Sequence, residues 1–256
     1  MARKQRPTDA QLRDRAEKLR LYGLLSEWAS FGPQDWILPL IEAEEAERAR
    51  RSQEYRLRNA KIGVFKDRAD FDWKHPTKID RQQIEELFTL EFLDEGRNVV
   101  FVGSNGIGKT MFARNLAHAA VTEGHATRYL SAADMLTDLA SYNGSMLRNR
   151  LKRYVSPKLL VIDELGYLSY DTQHADLLYE VVSRRYEQQA PIVLTTNRPF
   201  KEWNETFEGA AVLTTLIDRI CHRVEIVQID GESYRKVEGQ RAARTRQATR
   251  RSRPRQ

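Results

Sequence analysis

Apolar residues in this chain fall into two patterns. Unbroken short runs occur at Val99 to Val102, Leu159 to Ile162 and Pro191 to Leu194. Runs of this length, apolar throughout rather than alternating, predict strands buried on both faces. Two weaker strands are predicted at Ala126 to Leu130 and Val224 to Ile229. Between them lie stretches with helical spacing: residues 111–122, 133–140, 145–154, 173–188 and 210–222. In residues 173–188, for example, Leu177, Leu178, Val181, Val182 and Tyr186 share one side. Strands that alternate with helices predict a parallel sheet covered by helices on both faces.

The first part of the chain reads differently. Residues 8–30 predict one amphipathic helix, capped by Thr8 with Gln11 completing a capping box, and stopped at Gly32-Pro33. A second helix is expected from about Gln34 to Asn59. Its later half is nearly all charged, with Glu44/Arg48 and Glu47/Arg51 at the favourable i,i+4 spacing. Such a half is a solvated connector or a partner surface, and its arginines, with Lys61, are a secondary candidate for DNA contact. Residues 62–79 read as a linker containing Phe71-Asp-Trp73. Its aromatic side chains either pack on the core or approach a base at the edge of a nucleotide site. Asp80 caps a predicted helix running through Ile84, Leu87, Phe88 and Phe92 to Gly96.

Composition narrows the class. The chain has 256 residues, 41% hydrophobic and 30% charged, enough for one large domain or for one medium domain with a smaller appendage. No apolar run reaches the ~20 residues of a membrane helix, and no signal-peptide pattern follows the basic start. Cys221 is the single cysteine, so no disulfide can form within the chain. A cytoplasmic location is expected. The five histidines show no metal-ligand spacing with Cys221 or the acids. The net charge is +6, yet residues 240–256 hold seven arginines and no acid, which leaves −1 for the rest. A segment of that composition is expected to be disordered and to bind phosphate backbones by counterion release.

Candidate chemistry starts where the first strand ends. Gly103-Ser-Asn-Gly-Ile-Gly-Lys-Thr110 matches the phosphate-loop pattern. Its glycines let the backbone turn tightly, so that its N–H groups face phosphate oxygens. The helix that starts at its end adds free N–H groups and a positive dipole end. Expected nucleotide contacts are Gly103, Ser104, Asn105, Gly106, Ile107, Gly108, Lys109, Thr110 and Met111. Lys109 reaches the β- and γ-phosphates, and the Thr110 hydroxyl faces Mg²⁺. Asp163-Glu164 follows the strand Leu159 to Ile162, so it should share the crevice outside the carboxyl ends of the strands. Asp163 is the second candidate for Mg²⁺, and Glu164 is the candidate base for the attacking water. Asn197, after the strand that ends in Thr195-Thr196, is a candidate sensor of the γ-phosphate or that water, and otherwise an ordinary turn residue. Arg219 is the first candidate for a cation reaching a neighbouring subunit's site, with Arg223 as its rival. Arg235 could act on the phosphates of its own subunit. Surface ion pairs, such as Arg219 with Asp218, are the simpler alternative.

Longer stretches are more specific. The phosphate loop, Leu159 to Leu168 (Leu-Leu-Val-Ile-Asp-Glu-Leu-Gly-Tyr-Leu), Ser183-Arg-Arg-Tyr186, Thr195-Thr-Asn-Arg-Pro-Phe200 with Trp203, and Gly231-Glu-Ser-Tyr-Arg235 together resemble the IstB-like transposition helper ATPases of insertion sequences. Their relatives are the DnaC-type helicase loaders of the AAA+ initiator clade. The resemblance covers roughly residues 8–238. It implies a P-loop AAA+ three-layer α/β/α core with a mainly parallel five-stranded sheet. The expected organisation is a helical domain over residues 1–66, an ATPase domain with its linker over 67–238, and the basic tail over 239–256. It further implies ATP and Mg²⁺ as ligands, homo-oligomers with ATP at their interfaces, assembly on duplex DNA, and a DDE-type transposase as partner, with no membrane. A replicative helicase loader is the alternative within this chemistry. A small-molecule kinase fits less well, because Asp163-Glu164 with Asn197 suits water as nucleophile. A DNA-binding scaffold with negligible turnover is the third reading.

Overall fold

The computed structural model describes residues 7–31, 34–207 and 209–239. The basic tail and the Gly32-Pro33 stop therefore lie outside the described residues, save for Gly239. Packing groups the chain into two units, Met1–Tyr55 and Arg56–Gln256.

The first unit holds α1 (Asp9–Lys18), α2 (Tyr22–Ser26), α3 (Trp28–Phe31) and most of α4 (Ile37–Ala60). Thr8 caps α1 with the expected box: its hydroxyl accepts the Gln11 N–H, and Gln11 Oε1 accepts the Thr8 N–H. The single helix expected over 8–30 is instead three. The chain turns at Arg20, whose φ is +55°. Leu21 N–H returns to Ala16 O and Arg20 N–H to Glu17 O, a Schellman closure on a residue that is not glycine. The reversal brings Trp28 back to α1, where its Nε1 donates to Asp9 Oδ1 at 3.1 Å. Leu12, Ala16, Leu19, Trp28, Ile37 and Ile41 then share one small core, which a straight helix could not assemble. On α4, Arg48, Arg50 and Arg51 pair with Glu44, Glu47 and Glu54 along the helix, the expected i,i+4 pairs among them.

The second unit continues through α5 (Arg81–Leu87), α6 (Glu91–Glu95), β1 (Asn98–Val102), α7 (Lys109–Thr122), β2 (Thr127–Ser131), α8 (Ala132–Ala140) and α9 (Gly144–Val155). It is completed by β3 (Leu159–Leu165), α10 (Thr172–Glu187), β4 (Ile192–Thr196), α11 (Trp203–Thr206), α12 (Leu213–Cys221) and β5 (Val224–Gln228). The one helix expected over 80–96 is split at Leu90, which is left-handed at φ +64°. The break lets Ile84 and Leu87 on one side, and Phe92 and Leu93 on the other, enter the same core.

The five strands form one sheet in the order β2-β3-β4-β1-β5, and every neighbouring pair is parallel. Successive side chains of a strand point to opposite faces. Val100, Leu160, Ile162 and Leu194 meet α8, α10 and α12 on one face. Val99, Phe101, Val161 and Val193 meet α5, α6, α7 and the linker on the other. This is the expected three-layer α/β/α core on a five-stranded parallel sheet. Arg185 on α10 is wholly buried and ties its lower edge. Its guanidinium donates to the carbonyls of Tyr154, Val155, Pro157, Lys158 and Pro191, at 2.7–3.1 Å. The end of α9 and the starts of β3 and β4 are thereby fixed together. Among the described residues, no helix is long and apolar enough to cross a membrane.

Candidate active site

Because the strands are parallel, β1, β3 and β4 all end at one edge of the sheet. The phosphate loop leaves β1 there and runs into α7. Gly103 sits at φ +153°, and a Cβ on it would lie 2.0 Å from the carbonyl oxygen of Ile229. Gly108 sits at φ +106°, and a Cβ there would lie 2.6 Å from the ring of Phe71. These glycines therefore serve close approach as well as turning. The loop is braced by the segment after β5. Tyr234 N–H donates to Gly106 O at 2.9 Å, and Ser104 Oγ donates to Gly231 O at 3.1 Å. That contact gives Gly231-Glu-Ser-Tyr-Arg235 its place in the site.

The start of α7 has no side-chain cap, so its first-turn N–H groups remain available. Lys109 is only 6% exposed, and its ammonium donates to Gly103 O and Ser104 O, both at 2.7 Å. Burial pulls this ammonium down to about 8; Asp163 and Glu164 oppose the shift in part, while Arg235 adds to it. Thr110 Oγ1 donates to Asp163 Oδ1 at 3.0 Å. Tyr129 on β2 donates its hydroxyl to the other oxygen of Asp163 and accepts from Arg114 Nε at 2.9 Å. Burial, and then the Asp163 charge, push the Tyr129 phenol well up. Asp163 and Glu164 lie within β3 itself, not just past it, and their side chains diverge: Asp163 is buried and Glu164 exposed.

The cleft over the loop has a volume of about 520 Å³. Gly106 to Met111, Glu164, Tyr167 and Arg235 line it, and so do Phe65, Phe71 and His75 of the linker. The linker packs on the core, with Phe71 4.6 Å from Phe112, and Phe71 also walls the cleft. Ser104 and Asn105 are exposed and do not line it. Asn197 stands just beyond β4, close to Gly166, its Oδ1 buried with no hydrogen-bond partner among the described residues; it does not line the cleft. Arg235 is exposed and pairs with none of the described residues.

Arg219 is elsewhere. Its guanidinium stacks 4.9 Å from the Tyr179 ring and 5.8 Å from that of Tyr186, without pairing to Asp218. With Arg223 it lines a cavity of about 220 Å³ beside Asn98 and Ile192. Those are the first residues of β1 and β4, so Arg219 sits at the amino edge of the sheet, opposite the loop.

The model of the family described as IstB-like ATP binding protein matches residues 9–242. This chain belongs to the IstB-like ATP-binding proteins. It is 36% identical over 219 residues to the insertion sequence IS5376 putative ATP-binding protein of Geobacillus stearothermophilus, covering 84% of this chain and 86% of that one. It is 31% identical to the insertion sequence IS21 putative ATP-binding protein of Pseudomonas aeruginosa, covering 82% and 79%. Among solved structures, the DnaC helicase loader shares the fold with a TM-score of 0.51 at 19% identity, over 67% of this chain and 97% of that one.

For an IstB-like ATP-binding protein the Lys109 geometry has a consequence in pH. Phosphate oxygens favour the charged ammonium, so ATP binding above pH 8 takes up a proton. Affinity should be flat below about pH 7 and fall by roughly tenfold per pH unit above 8. Titration calorimetry from pH 7 to 9.5 checks this, and a flat profile would contradict it. The nucleotide-free fold shows the opposite trend. Unfolded lysine keeps its proton to its ordinary 10.5, so stability contributed by this group rises with pH between about 8 and 10.5.

Two contributors to this geometry are not identified from the sequence. Tyr129 lies in a weak, mixed strand, and Thr195, whose hydroxyl also donates to Asp163 Oδ1, reads as one more strand residue. The only available signal is a polar side chain at a position where the strand is otherwise buried.

Proposed function

We propose that this protein is a Mg²⁺-dependent ATPase that forms oligomers on duplex DNA in its ATP state and assists a DDE transposase by selecting or remodelling target DNA. The observation that carries this is the placement of two opposite parts. The phosphate loop, Asp163 and Glu164 share one edge of the sheet, while Arg219, with no carboxylate partner among the described residues, stands at the other. A subunit with a phosphate site at one edge of its sheet and an arginine without a carboxylate partner at the other suits head-to-tail neighbours, each arginine reaching the next subunit's site.

Within each subunit, the loop N–H groups and Lys109 bind the phosphates, Phe71 walls the cleft on the base side, and Glu164 takes the proton of the attacking water. Thr110 and Asp163 would hold Mg²⁺. Their hydroxyl and carboxylate are within 3.0 Å of each other, and the described residues contain no cluster of three or more His, Cys, Asp or Glu, which suits an ion held mostly by phosphate and water. That ion would neutralise charge developing on the phosphates. Asn197 is the sensor of the γ-phosphate or of the attacking water; Arg235 contacts the phosphates in cis; the residues 1–66 serve assembly or partner contact, and the tail contacts DNA in the cytoplasm. The likeness in fold to a helicase loader supports a second reading, in which the partner is a replicative helicase; co-purification distinguishes the two.

Electron microscopy on duplex DNA with ATP and with ADP tests the assembly. Identical oligomers and equal DNA affinity in both states would overturn it. Arg219→Ala should lower turnover about tenfold to a hundredfold, the loss of one charge-assisted interaction, while leaving nucleotide affinity of the monomer unchanged. Mixing it with Lys109→Ala protein should restore turnover, because some interfaces then pair an intact loop with an intact arginine. A mixture as inactive as its parts rules out the trans role.

A further inference from the structure

Asp163 and Glu164 are assigned different tasks, one toward the metal and one toward water. In a regular strand, adjacent side chains point to opposite faces of the sheet, which would send one of the two away from the cleft. Here the pairing of β3 with β4 shifts register between Ile162 and Leu165, and Glu164 takes a left-handed φ of +63°. One hydroxyl sits at this kink. Thr195 on β4, 1% exposed, donates to Asp163 Oδ1 at 2.5 Å. The same hydroxyl oxygen accepts the Glu164 N–H at 2.8 Å. A hydroxyl has one proton to give and lone pairs to receive, so it satisfies both partners at once. No other side chain of that size on a buried strand does so, apart from serine.

We infer that Thr195 is a positioning residue for hydrolysis: its hydroxyl holds the kink that keeps Asp163 facing Thr110 while Glu164 faces the cleft. This rests on the roles proposed above for Asp163 and Glu164. Tyr129 fixes the far oxygen of Asp163, which leaves Thr195 as the contact shared by both residues.

The test compares Thr195→Val, which keeps the branched shape and strand preference, with Thr195→Ser, which keeps the hydroxyl. In Thr195→Val, kcat should fall by about 10–100-fold with KM changed less than about threefold, as expected when a reacting group is misplaced while substrate binding is intact. Thr195→Ser should return kcat to within about threefold of the parent. Independently of turnover, the Glu164 amide should lose hydrogen-exchange protection in the valine variant and keep it in the serine variant. If the valine variant does not fold, Thr195→Ala takes its place. A valine variant within twofold of the parent in kcat overturns the inference, as does a serine variant no better than valine, or an unchanged Glu164 amide. Glu164→Gln is measured alongside. If it retains full turnover, the base assignment fails by itself, and amide exchange alone then decides for Thr195.

Discussion

Glu164→Gln is expected to bind ATP as tightly as the parent and to hydrolyse it about 10²–10⁴-fold more slowly, the usual contribution of a positioned general base. The amide keeps the shape and the backbone N–H bond to Thr195, so the kink stays in place. It loses only the capacity to take a proton. The Glu164 side chain is exposed and bonds to none of the described residues, so stability should change by no more than about 0.5 kcal/mol. The outcome to look for is a split: unchanged nucleotide affinity, unchanged melting, and abolished turnover. ATP-dependent assembly on DNA should persist and last longer, because the triphosphate state is no longer consumed. Turnover within a few-fold of the parent would remove Glu164 from its role.

Lys109→Ala is expected to weaken ATP binding on the order of 10³-fold. The ammonium offers three donors, and charge-assisted hydrogen bonds contribute about 1.5–3 kcal/mol each. Two of those donors serve Gly103 O and Ser104 O, so the lysine also braces the backbone of the loop. Alanine removes both functions and leaves two carbonyls without a partner. Lys109→Arg should not rescue binding, because the planar guanidinium does not fit a side chain position that is 6% exposed. Affinity for ADP should fall less than affinity for ATP, since ADP presents one phosphate fewer to the cation. The same variant should lose the pH dependence above 8 and the ATP dependence of assembly. Equal affinities for variant and parent, measured by calorimetry, would show that the loop alone binds the phosphates.

Much of this site is legible in the chain because its parts are local. A phosphate loop needs glycines and a lysine at fixed offsets within eight residues, and the strand before it is an unbroken apolar run. The same holds for Asp163-Glu164 after Leu159 to Ile162, and for the alternation that specifies a parallel sheet. Caps at Thr8 and Asp80 are equally local, and both are present. The helix breaks at Arg20 and Leu90 are not legible, since neither carries a glycine or proline signal. Each is a left-handed residue held by burial on both of its sides.

Residue type and short-range spacing suffice for the family, the α/β class, the phosphate loop and the two carboxylates that stand beside it. How those parts face one another follows only from packing. Packing placed Phe71 against Gly108, Gly231 to Arg235 against the loop, and Arg219 at the far edge of the sheet. It also set Thr195 and Tyr129 around Asp163, across strands separated by 30 residues or more. The physical reason is that a hydrogen bond between strands depends on register, and register is fixed only when the whole sheet packs.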